Sequence, residues 1–404
     1  MPSQKAAEAA LPRSTIPAFR PFAKLLDRIT TGHLRIRIGD GIHDLFGDEP
    51  GPSAVLQVHR PLSMARRIAT NGHVGLGEAY MAGDWDSPDL TAFIHLLAVN
   101  EENLLSLETG SWLHRIGSLL HHRSRRNSRA GSRRNISFHY DLGNAFYRLW
   151  LDPSMTYSAA IFDESDDLEQ AQHRKYRRLL GMLAPESGSH ILEIGCGWGG
   201  LARAAAEAGH RVTGITLSSE QLAWARSTLD QTPFADAVEL RLQDYRDLDE
   251  QFDHIVSIEM FEAVGEAYWP TYMETLCHCL RPGGRAVLQI ITIDEKLFAP
   301  YKSSPDFIQH YVFPGGMLPT VSRFDQAATD AGLRVGDRSF HGLDYARTLA
   351  IWHERFLAQL DAVRDQGFDE RFIRMWRYYL SYCEAGFLDR RIDVMQVVLE
   401  RPGL

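Results

Sequence analysis

Short apolar runs alternate with amphipathic stretches from residue 135 onward, and apolar runs of this length are typical of buried strands. The runs predicted to form strands are Ile191–Ile194, Arg211–Thr216, Val238–Leu242, Phe252–Glu259, Arg285–Ile293, Asp337–His341 and Val394–Glu400. Between them, apolar residues recur at helical spacing over Arg174–Leu183, Ser219–Leu229 and Tyr268–Leu280. Because such alternation is typical of a doubly wound sheet, we predict an α/β fold with a mostly parallel, seven-stranded sheet over residues 135–404.

A different pattern occupies the first part of the chain, where polar and apolar residues alternate with period two over His33–Ile38 and Ala54–His59. This alternation predicts strands with one buried face. Helical spacing follows over Leu62–Thr70, Leu76–Met81, Leu90–Val99 and Trp112–Leu120. We predict a smaller α+β domain over residues 19–120, which acts either as a scaffold or lid or in lipid handling. Residues 1–18 are predicted to be disordered.

The net charge of the chain is −9, which argues against general binding to nucleic acid. Within this acidic chain, seven arginines lie between residues 114 and 134, and we interpret residues 121–134 as a basic linker. Such a segment is either simply solvated or attracted to anionic phospholipid headgroups. That attraction contributes about 1 kcal/mol per basic residue near the surface.

The cellular compartment is suggested by features that the sequence lacks. Four cysteines indicate no disulfide framework, which favours a reducing compartment. No apolar run approaches the roughly 20 residues that a membrane span needs, and no signal peptide is recognised. We therefore predict a cytoplasmic protein that is peripheral at the inner membrane. No metal site is predicted, because Cys277 and Cys279 would face different directions on a helix.

A glycine-rich turn follows the first strand of the predicted sheet. Strand Ile191–Ile194 runs into Gly195, Gly197 and Gly199, and a helix follows. Glycines let backbone N–H groups approach a ligand closely at the carboxyl edge of such a sheet. The loop has no lysine and no Ser or Thr to hold Mg²⁺, so it suits adenosine without phosphates better than ATP. We infer that the cofactor is S-adenosylmethionine (SAM).

Several longer motifs resemble those of cyclopropane fatty acid synthases. They are His139–Asn144, Met155–Ser158, Leu192–Gly200, Gln243–Asp247, Ser257–Gly265, Phe313–Pro319 and Trp352–Phe356. The resemblance implies that residues 135–404 form a Rossmann-like class I SAM methyltransferase domain. It also implies a reaction, namely transfer of the SAM methyl group to a double bond of an unsaturated phospholipid acyl chain at the membrane surface.

The same resemblance implies a set of cofactor-binding residues in the glycine loop and at strand ends. They are Tyr157, Ser158, Glu193, Gly195, Cys196, Gly197, Gly199, Thr216, Leu217, Ser218, Gln221, Asp244 and Tyr245. Glu193 could accept hydrogen bonds within the loop or from the ligand. The segment from Thr216 to Gln221 is expected to face the ribose, and Asp244 and Tyr245 are expected to flank the adenine.

In the family, a bicarbonate ion removes a proton from the new methyl group, and the residues implied for its site match only in part. Glu262 and Tyr345 are present, but Ala159 stands in place of the family's cysteine and Gln289 in place of its histidine. Bicarbonate binding is therefore in doubt. Cys383 matches a cysteine often assigned to the family's active site, although a buried cysteine is also a common packing residue.

Two outcomes of the reaction stay open. Glu262 could itself accept the proton, or the acyl chain could lose one and give a methyl-branched unsaturated product. The second outcome resembles the methyltransferases of furan fatty acid biosynthesis, so a cyclopropane and a methyl-branched or methylene product are both considered. The sequence also leaves room for a SAM methyltransferase of a soluble small molecule and for a non-catalytic lipid carrier. A homodimer is left open.

Overall fold

The computed structural model describes residues 26–105, 142–164 and 166–403. The predicted disordered N-terminus (1–18), the predicted helix Trp112–Leu120 and the basic linker (121–134) lie outside this part of the chain. The chain divides into two compact units. Unit 1 comprises Met1–Gly117 and Phe368–Asp389, and unit 2 comprises Ser118–Gly367 and Arg390–Leu404.

Unit 1 contains a four-stranded sheet in the order β2-β1-β3-β4. Its strands are β1 (Thr31–Ile38), β2 (Gly41–Phe46), β3 (Glu49–Val58) and β4 (Trp85–Asp86), and its helices are Pro61–Met81, Leu90–Val99, Glu101–Leu105 and Glu370–Leu388. Leu34, Ile36 and Leu56 are buried, and the helix Leu90–Val99 packs against β1 and β3. The α+β pattern predicted for this part of the chain is confirmed.

Two local differences from the prediction in unit 1 have physical causes. The helices predicted at Leu62–Thr70 and Leu76–Met81 form one segment, Pro61–Met81, with a kink at Gly72, where φ is +55°. Strand β2 has no counterpart in the sequence analysis, because both of its faces mix polar and apolar residues. Its Ile42 and Phe46 side chains are 60% and 69% exposed, so no buried stripe marks the strand.

The helix Glu370–Leu388 lies in a different unit from the one predicted, because the sequence analysis assigned all of residues 135–404 to one domain. In the structure this helix packs within unit 1. The Arg374 guanidinium donates to the carbonyls of Tyr80 and Trp85 and pairs with Asp86 at 2.8 Å. The two carbonyls are 294 and 289 positions away in the sequence, so no local pattern could reveal them.

Unit 2 contains the predicted seven-stranded sheet, in the order β10-β11-β9-β8-β5-β6-β7. Its strands are β5 (His190–Ile194), β6 (Arg211–Thr216), β7 (Val238–Leu242), β8 (Phe252–Ile258), β9 (Leu280–Ile293), β10 (Arg334–Phe340) and β11 (Ile392–Glu400). Only β11 runs antiparallel to its neighbours, β9 and β10, and the remaining described pairs are parallel. The prediction of a mostly parallel α/β sheet is confirmed.

Helices cover both faces of this sheet. The helices of unit 2 are Asn144–Tyr147, Leu168–Leu183, Gly200–Glu207, Ser219–Leu229, Phe261–Val264, Trp269–Cys279, Phe298–Ser303, Phe307–Tyr311, Val321–Asp330, Gly342–Ala358 and Leu360–Asp365, and several of them pack on the sheet. Successive residues of β5 enter different apolar clusters, Ile191 with Leu179 and Leu192 with Phe252. Burial on both faces explains why the strands read as nearly continuous apolar runs. Within the described ranges, no helix combines the length and apolar character needed to cross a membrane.

The contacts of Arg374 generate a prediction about unit 1. Arg374→Met should lower the free energy of opening of unit 1 by about 2–4 kcal/mol, because it removes hydrogen bonds from a charged donor to two carbonyls. Hydrogen exchange of peptides from unit 1, followed by mass spectrometry, measures this quantity. Arg371→Met, at an exposed position on the same helix, is the control. Equal protection in both variants would contradict the assignment of this helix.

Candidate active site

The glycine loop leaves β5 in a backbone conformation that glycine adopts most easily. Gly195, Gly197 and Gly199 have φ angles of +86°, +52° and +86°. The N–H groups of Gly195 and Cys196 both donate to the carbonyl of Ile215, at 2.9 and 3.0 Å, which fixes the loop against β6. A Cβ atom added at Gly197 would meet no atom within 4 Å, so the space beside this residue is open to a ligand.

Glu193, two residues before the loop, carries a buried carboxyl. Its side chain is 3% exposed, and its Oε2 has no hydrogen-bond partner among the described residues. Burial raises the pKa of Glu193 to about 8, although a hydrogen bond from the backbone of Ala202 and the charge of Lys175 act in the opposite direction. An unpartnered buried acceptor near an open glycine loop fits a ligand with N–H and O–H donors, such as SAM.

The predicted residues at the end of β6 form one hydrogen-bonded cluster. Thr216 Oγ1 donates to Gln221 Oε1 at 3.2 Å and accepts from the Ser218 N–H at 3.1 Å. Ser218 caps the helix Ser219–Leu229 by accepting from the Gln221 N–H at 3.2 Å. All three polar side chains are buried, and Leu217 between them is half-buried. The strand end therefore presents fixed polar groups.

The two residues predicted beside the adenine lie after β7 but face different surroundings. Both carboxylate oxygens of Asp244 accept from the Arg246 guanidinium, at 2.8 and 2.6 Å. The Tyr245 ring is buried in the apolar core and packs edge-on against Tyr272, with 5.2 Å between ring centroids. Burial raises the pKa of Tyr245 to about 12. Cys196 of the loop likewise belongs to a buried apolar cluster.

Tyr157 and Ser158 lie on a segment that neighbouring elements hold tightly. The Tyr157 ring packs against Trp150 and Trp352, with 5.6 and 5.3 Å between ring centroids. Ser158 Oγ accepts from Lys175 Nζ at 2.5 Å, and the Ser158 carbonyl accepts from the Gln172 amide at 2.9 Å.

Lys175 is a fully buried lysine that the sequence analysis did not single out. Burial lowers its pKa to about 8, and the charges of Glu259, Asp152 and Glu193 act in the opposite direction. A lysine within the apolar stripe of the helix Leu168–Leu183 is a signal in the sequence that could have identified it.

Glu259 is a second residue that the sequence analysis missed. Its Oε1 accepts from the Ala159 N–H and from Gln289 Nε2, both at 2.8 Å. The Tyr345 side chain also faces this carboxylate and acts to lower its pKa. Glu259 adopts φ = +50°, which is unusual for a residue with a side chain and marks a conformation imposed by its surroundings. An acid at the end of an apolar strand was the available signal.

Glu262 lies three residues after Glu259, in the short helix Phe261–Val264. One carboxylate oxygen accepts from the Ile291 N–H, and Oε2 has no hydrogen-bond partner in the described part of the protein. Burial raises the pKa of Glu262 to about 8, and the charge of Glu259 adds to this rise. The structure therefore brings two of the predicted residues, Gln289 and Tyr345, together on Glu259, with Glu262 nearby.

Cys383 is placed differently from the other predicted catalytic residues. It lies on the helix Glu370–Leu388, which belongs to unit 1, and its side chain is half-buried. A catalytic role for this thiol stays a prediction. Among the residues that the structure describes, no group of His, Cys, Asp and Glu side chains is arranged to hold a metal ion.

The sequence model of the mycolic acid cyclopropane synthetase family matches residues 127–397. The chain belongs to this family. It is 41% identical to the tuberculostearic acid methyltransferase of Mycobacterium tuberculosis, in a match that covers 98% of this chain and 95% of that protein. It is 38% identical to the cyclopropane-fatty-acyl-phospholipid synthase of Escherichia coli K12, and that match covers 83% of this chain and 85% of the synthase.

A solved structure of the mycolic acid cyclopropane synthase CmaA1, complexed with SAH and CTAB, matches this fold with a TM-score of 0.63 and 29% identity. The match covers 66% of this chain and 98% of that chain. The predicted family, the class I methyltransferase fold and the SAM cofactor are confirmed. The chain is a SAM-dependent methyltransferase.

The open space beside Gly197 generates a second prediction. Gly197→Ala should weaken SAM binding at least about tenfold, because a Cβ would enter the ligand space and strain a left-handed residue. Gly188→Ala is a matched control, since Gly188 also has a positive φ (+77°) and open space around its Cβ but lies in the turn before β5. Calorimetric titration with SAM measures both. Equal affinities would exclude the loop as the binding site.

Proposed function

We propose that this enzyme transfers the methyl group of SAM to a double bond of an unsaturated phospholipid acyl chain and forms a methyl-branched or methylene product. Two similar proteins support an acyl substrate, one named for tuberculostearic acid and the other for fatty-acyl-phospholipid. The arginine-rich segment between residues 114 and 134 supports a phospholipid at a membrane surface, because anionic headgroups attract basic residues. We infer that the enzyme works at the cytoplasmic face of the membrane.

The observation that carries the proposal is the setting of Glu259. Ala159 and Gln289 occupy two positions where the family resemblance implies bicarbonate contacts from a cysteine and a histidine, and Tyr345 is a third position of that site. In this chain the Ala159 N–H and the Gln289 amide donate to the Glu259 carboxylate, and Tyr345 faces it. We infer that Glu259 takes the place of bicarbonate and accepts the proton.

The electrostatics of the pair support Glu259 over Glu262 as the proton acceptor. Carboxyls that share a buried site have pKa values pushed apart, because both cannot easily be ionised. Burial raises the pKa of Glu259, but the charge of Lys175, the hydrogen bonds from Ala159 and Gln289, and Tyr345 act in the opposite direction. Glu262 is compensated only by backbone N–H groups, with no cation or side-chain donor, and burial together with the charge of Glu259 raises its pKa to about 8. We infer that Glu262 holds the proton of the pair and that Glu259 is its carboxylate, because Lys175, Gln289 and the Ala159 N–H favour the ionised form of Glu259.

When bound, SAM supplies an electrophilic methyl group, whose transfer to an alkene leaves a carbocation on the acyl chain. The Glu259 carboxylate stabilises this positive charge and then takes a proton from a carbon next to the cationic centre. Loss of a proton from a neighbouring chain carbon gives the methyl-branched alkene. The methylene product first requires a 1,2-hydride shift that moves the cation to the methyl-bearing carbon, after which the new methyl group loses the proton. The electrons of that C–H bond form the new C=C bond. Burial of the site excludes water, which would otherwise trap the cation as an alcohol.

A cyclopropane product is the second candidate, favoured by the 38% identity to the Escherichia coli synthase. The product can be decided with SAM that carries a trideuterated methyl group and vesicles of dioleoyl phosphatidylglycerol, with free oleate in a parallel reaction. Vinylidene signals with two deuteriums, or olefinic signals with three, agree with the proposal. Ring-proton signals with two deuteriums would establish the second candidate. Labelling of oleate alone would exclude a phospholipid substrate.

The role of Glu259 predicts the behaviour of two matched variants. Glu259→Gln should lower kcat at least about 100-fold, because a positioned base contributes about 10²–10⁴ to the rate. Glu262→Gln should stay within about tenfold at pH 7, since an amide resembles the protonated acid. Both should bind SAM normally by calorimetry. Removal of bicarbonate from the buffer should leave the wild-type rate unchanged. If the wild-type enzyme requires bicarbonate, or if the Glu259→Gln enzyme is active, Glu259 is not the proton acceptor.

A further inference from the structure

A row of polar side chains leads from Glu259 across the sheet of unit 2. Gln289 on β9 and Gln396 on β11 are direct cross-strand neighbours, and Ser339 on β10 is the neighbour of Gln396. Both glutamines are completely buried. Gln396 Nε2 donates to Gln289 Oε1 at 2.8 Å, and Arg178 Nε donates to Gln396 Oε1 at 2.8 Å.

The donors and acceptors along this row allow only one orientation of the two amides. An arginine side chain only donates, so Gln396 must present its carbonyl oxygen to Arg178. Its NH₂ group then faces Gln289, which must present its own carbonyl oxygen. The NH₂ group of Gln289 is thereby directed to Glu259 Oε1 at 2.8 Å and to the Ala159 carbonyl at 3.2 Å. Turning either amide would set two acceptors or two donors against each other.

Arg178 is itself held at the edge of the row. It is an exposed residue of the helix Leu168–Leu183, and its Nη2 donates to Ser339 Oγ at 3.0 Å. Ser339 Oγ also lies 2.8 Å from His341 Nε2, and His341 Nδ1 lies 3.2 Å from Asp344 Oδ2. The guanidinium therefore bridges β10 and β11, and a residue at the surface is connected to the buried carboxylate.

We propose that Arg178 is a positioning residue that acts through Gln396 and Gln289 to keep an N–H donor directed at the Glu259 carboxylate. The proposal rests on the proposed function, in which Glu259 accepts the proton. Without Arg178, the Gln396 amide can turn and set its carbonyl oxygen against that of Gln289. Gln289 can then turn as well, which gives up its bond to the Ala159 carbonyl and lets its carbonyl oxygen accept from a protonated Glu259. A hydrogen-bond donor favours the ionised carboxylate and an acceptor disfavours it, so loss of Arg178 should raise the pKa of Glu259.

Other charged and titratable groups also face Glu259. Lys175 reaches it from the helix Leu168–Leu183, Tyr345 from the helix Gly342–Ala358, and Glu262 from the short helix after β8. None of them belongs to the Arg178–Gln396–Gln289 row. They remain in place when Arg178 is replaced, so a change in the titration of Glu259 reports on the orientation of the amides.

The test compares Arg178→Met, Arg178→Lys and Arg177→Met by the pH dependence of kcat/KM. Arg178→Met should move the ascending limb of the profile to a higher pH by about 0.5–1 unit. At pH values below the midpoint of this limb, kcat/KM should therefore fall by about 3–10-fold. Arg178→Lys keeps a cationic donor and should restore most of the wild-type profile. Arg177→Met removes an adjacent exposed arginine that is not in the row, and its profile should match the wild type.

A double variant separates the row from a general structural effect. In a Gln396→Met background, Arg178→Met should shift the limb no further, because the connection is already broken. The proposal is overturned if Arg178→Met has the wild-type profile, if Arg177→Met shifts the limb equally, or if the shift persists in the Gln396→Met background. If Arg178→Met has the wild-type profile and Glu259→Gln is inactive, the positioning role of Arg178 is overturned and Glu259 remains the proton acceptor. If Glu259→Gln is active, Glu259 is not the proton acceptor.

The amide orientation can also be followed without catalysis. In protein labelled with ¹⁵N-glutamine, the side-chain NH₂ signals of Gln289 and Gln396 are expected to exchange slowly with solvent, and Gln396→Met assigns one of them. Arg177→Met should leave both protected. Arg178→Met should accelerate exchange or split the signals, as two orientations become populated. Unchanged, single signals in Arg178→Met would also overturn the proposal.

Discussion

Unit 2 holds the carboxyl group of Glu259 away from water, and the proposed reaction requires this group to be charged. Burying an unpaired charge costs several kcal/mol, and removing one partner of a buried ion pair leaves that cost uncompensated. At Glu259 the compensation comes from separate parts of the chain, through Ala159, Gln289, Tyr345 and Lys175. The positive φ of Glu259 adds strain of about 1–3 kcal/mol. The surrounding contacts therefore hold the residue in a conformation that its backbone alone would not choose.

The helix Leu168–Leu183 supplies much of that support. Gln172, Lys175 and Arg178 follow each other at a spacing of three, so they lie along one side of the helix. The first two hold Ser158, on the segment expected to contact the cofactor, and the third reaches Gln396 in the sheet. Gln172 and Lys175 are buried where an amphipathic helix would ordinarily place apolar residues, whereas Arg178 lies at the exposed edge of the helix. Here the departure from that rule joins the cofactor segment to the proposed proton acceptor, as expected where function overrides local preference.

The sequence pattern predicted the strands of unit 2 well, because burial on both faces leaves a signal that is local in the chain. It could not assign the helix Glu370–Leu388 to unit 1, because the partners of Arg374 lie far away in sequence. The glycine loop was recognisable from its composition. Glu259 was not predicted because the bicarbonate site implied by the family resemblance includes the positions of Glu262, Gln289 and Ala159 but not that of Glu259. The contact that unites these positions depends on where β8 ends and on how its last residue turns. The amide row depends on strand register, which no single segment encodes.

The position of β11 in the sheet has a consequence for how the protein folds. This strand lies between β9 and β10, yet it is the last of the seven in chain order. While the chain is being synthesised, β9 and β10 therefore have no partner between them until Ile392–Glu400 emerge from the ribosome. Pairing so distant in sequence is slow, and unpaired strand edges are prone to association with other chains. Since Gln396 arrives with that strand, the Glu259 carboxylate can acquire its final hydrogen bonding only in the last step of sheet assembly.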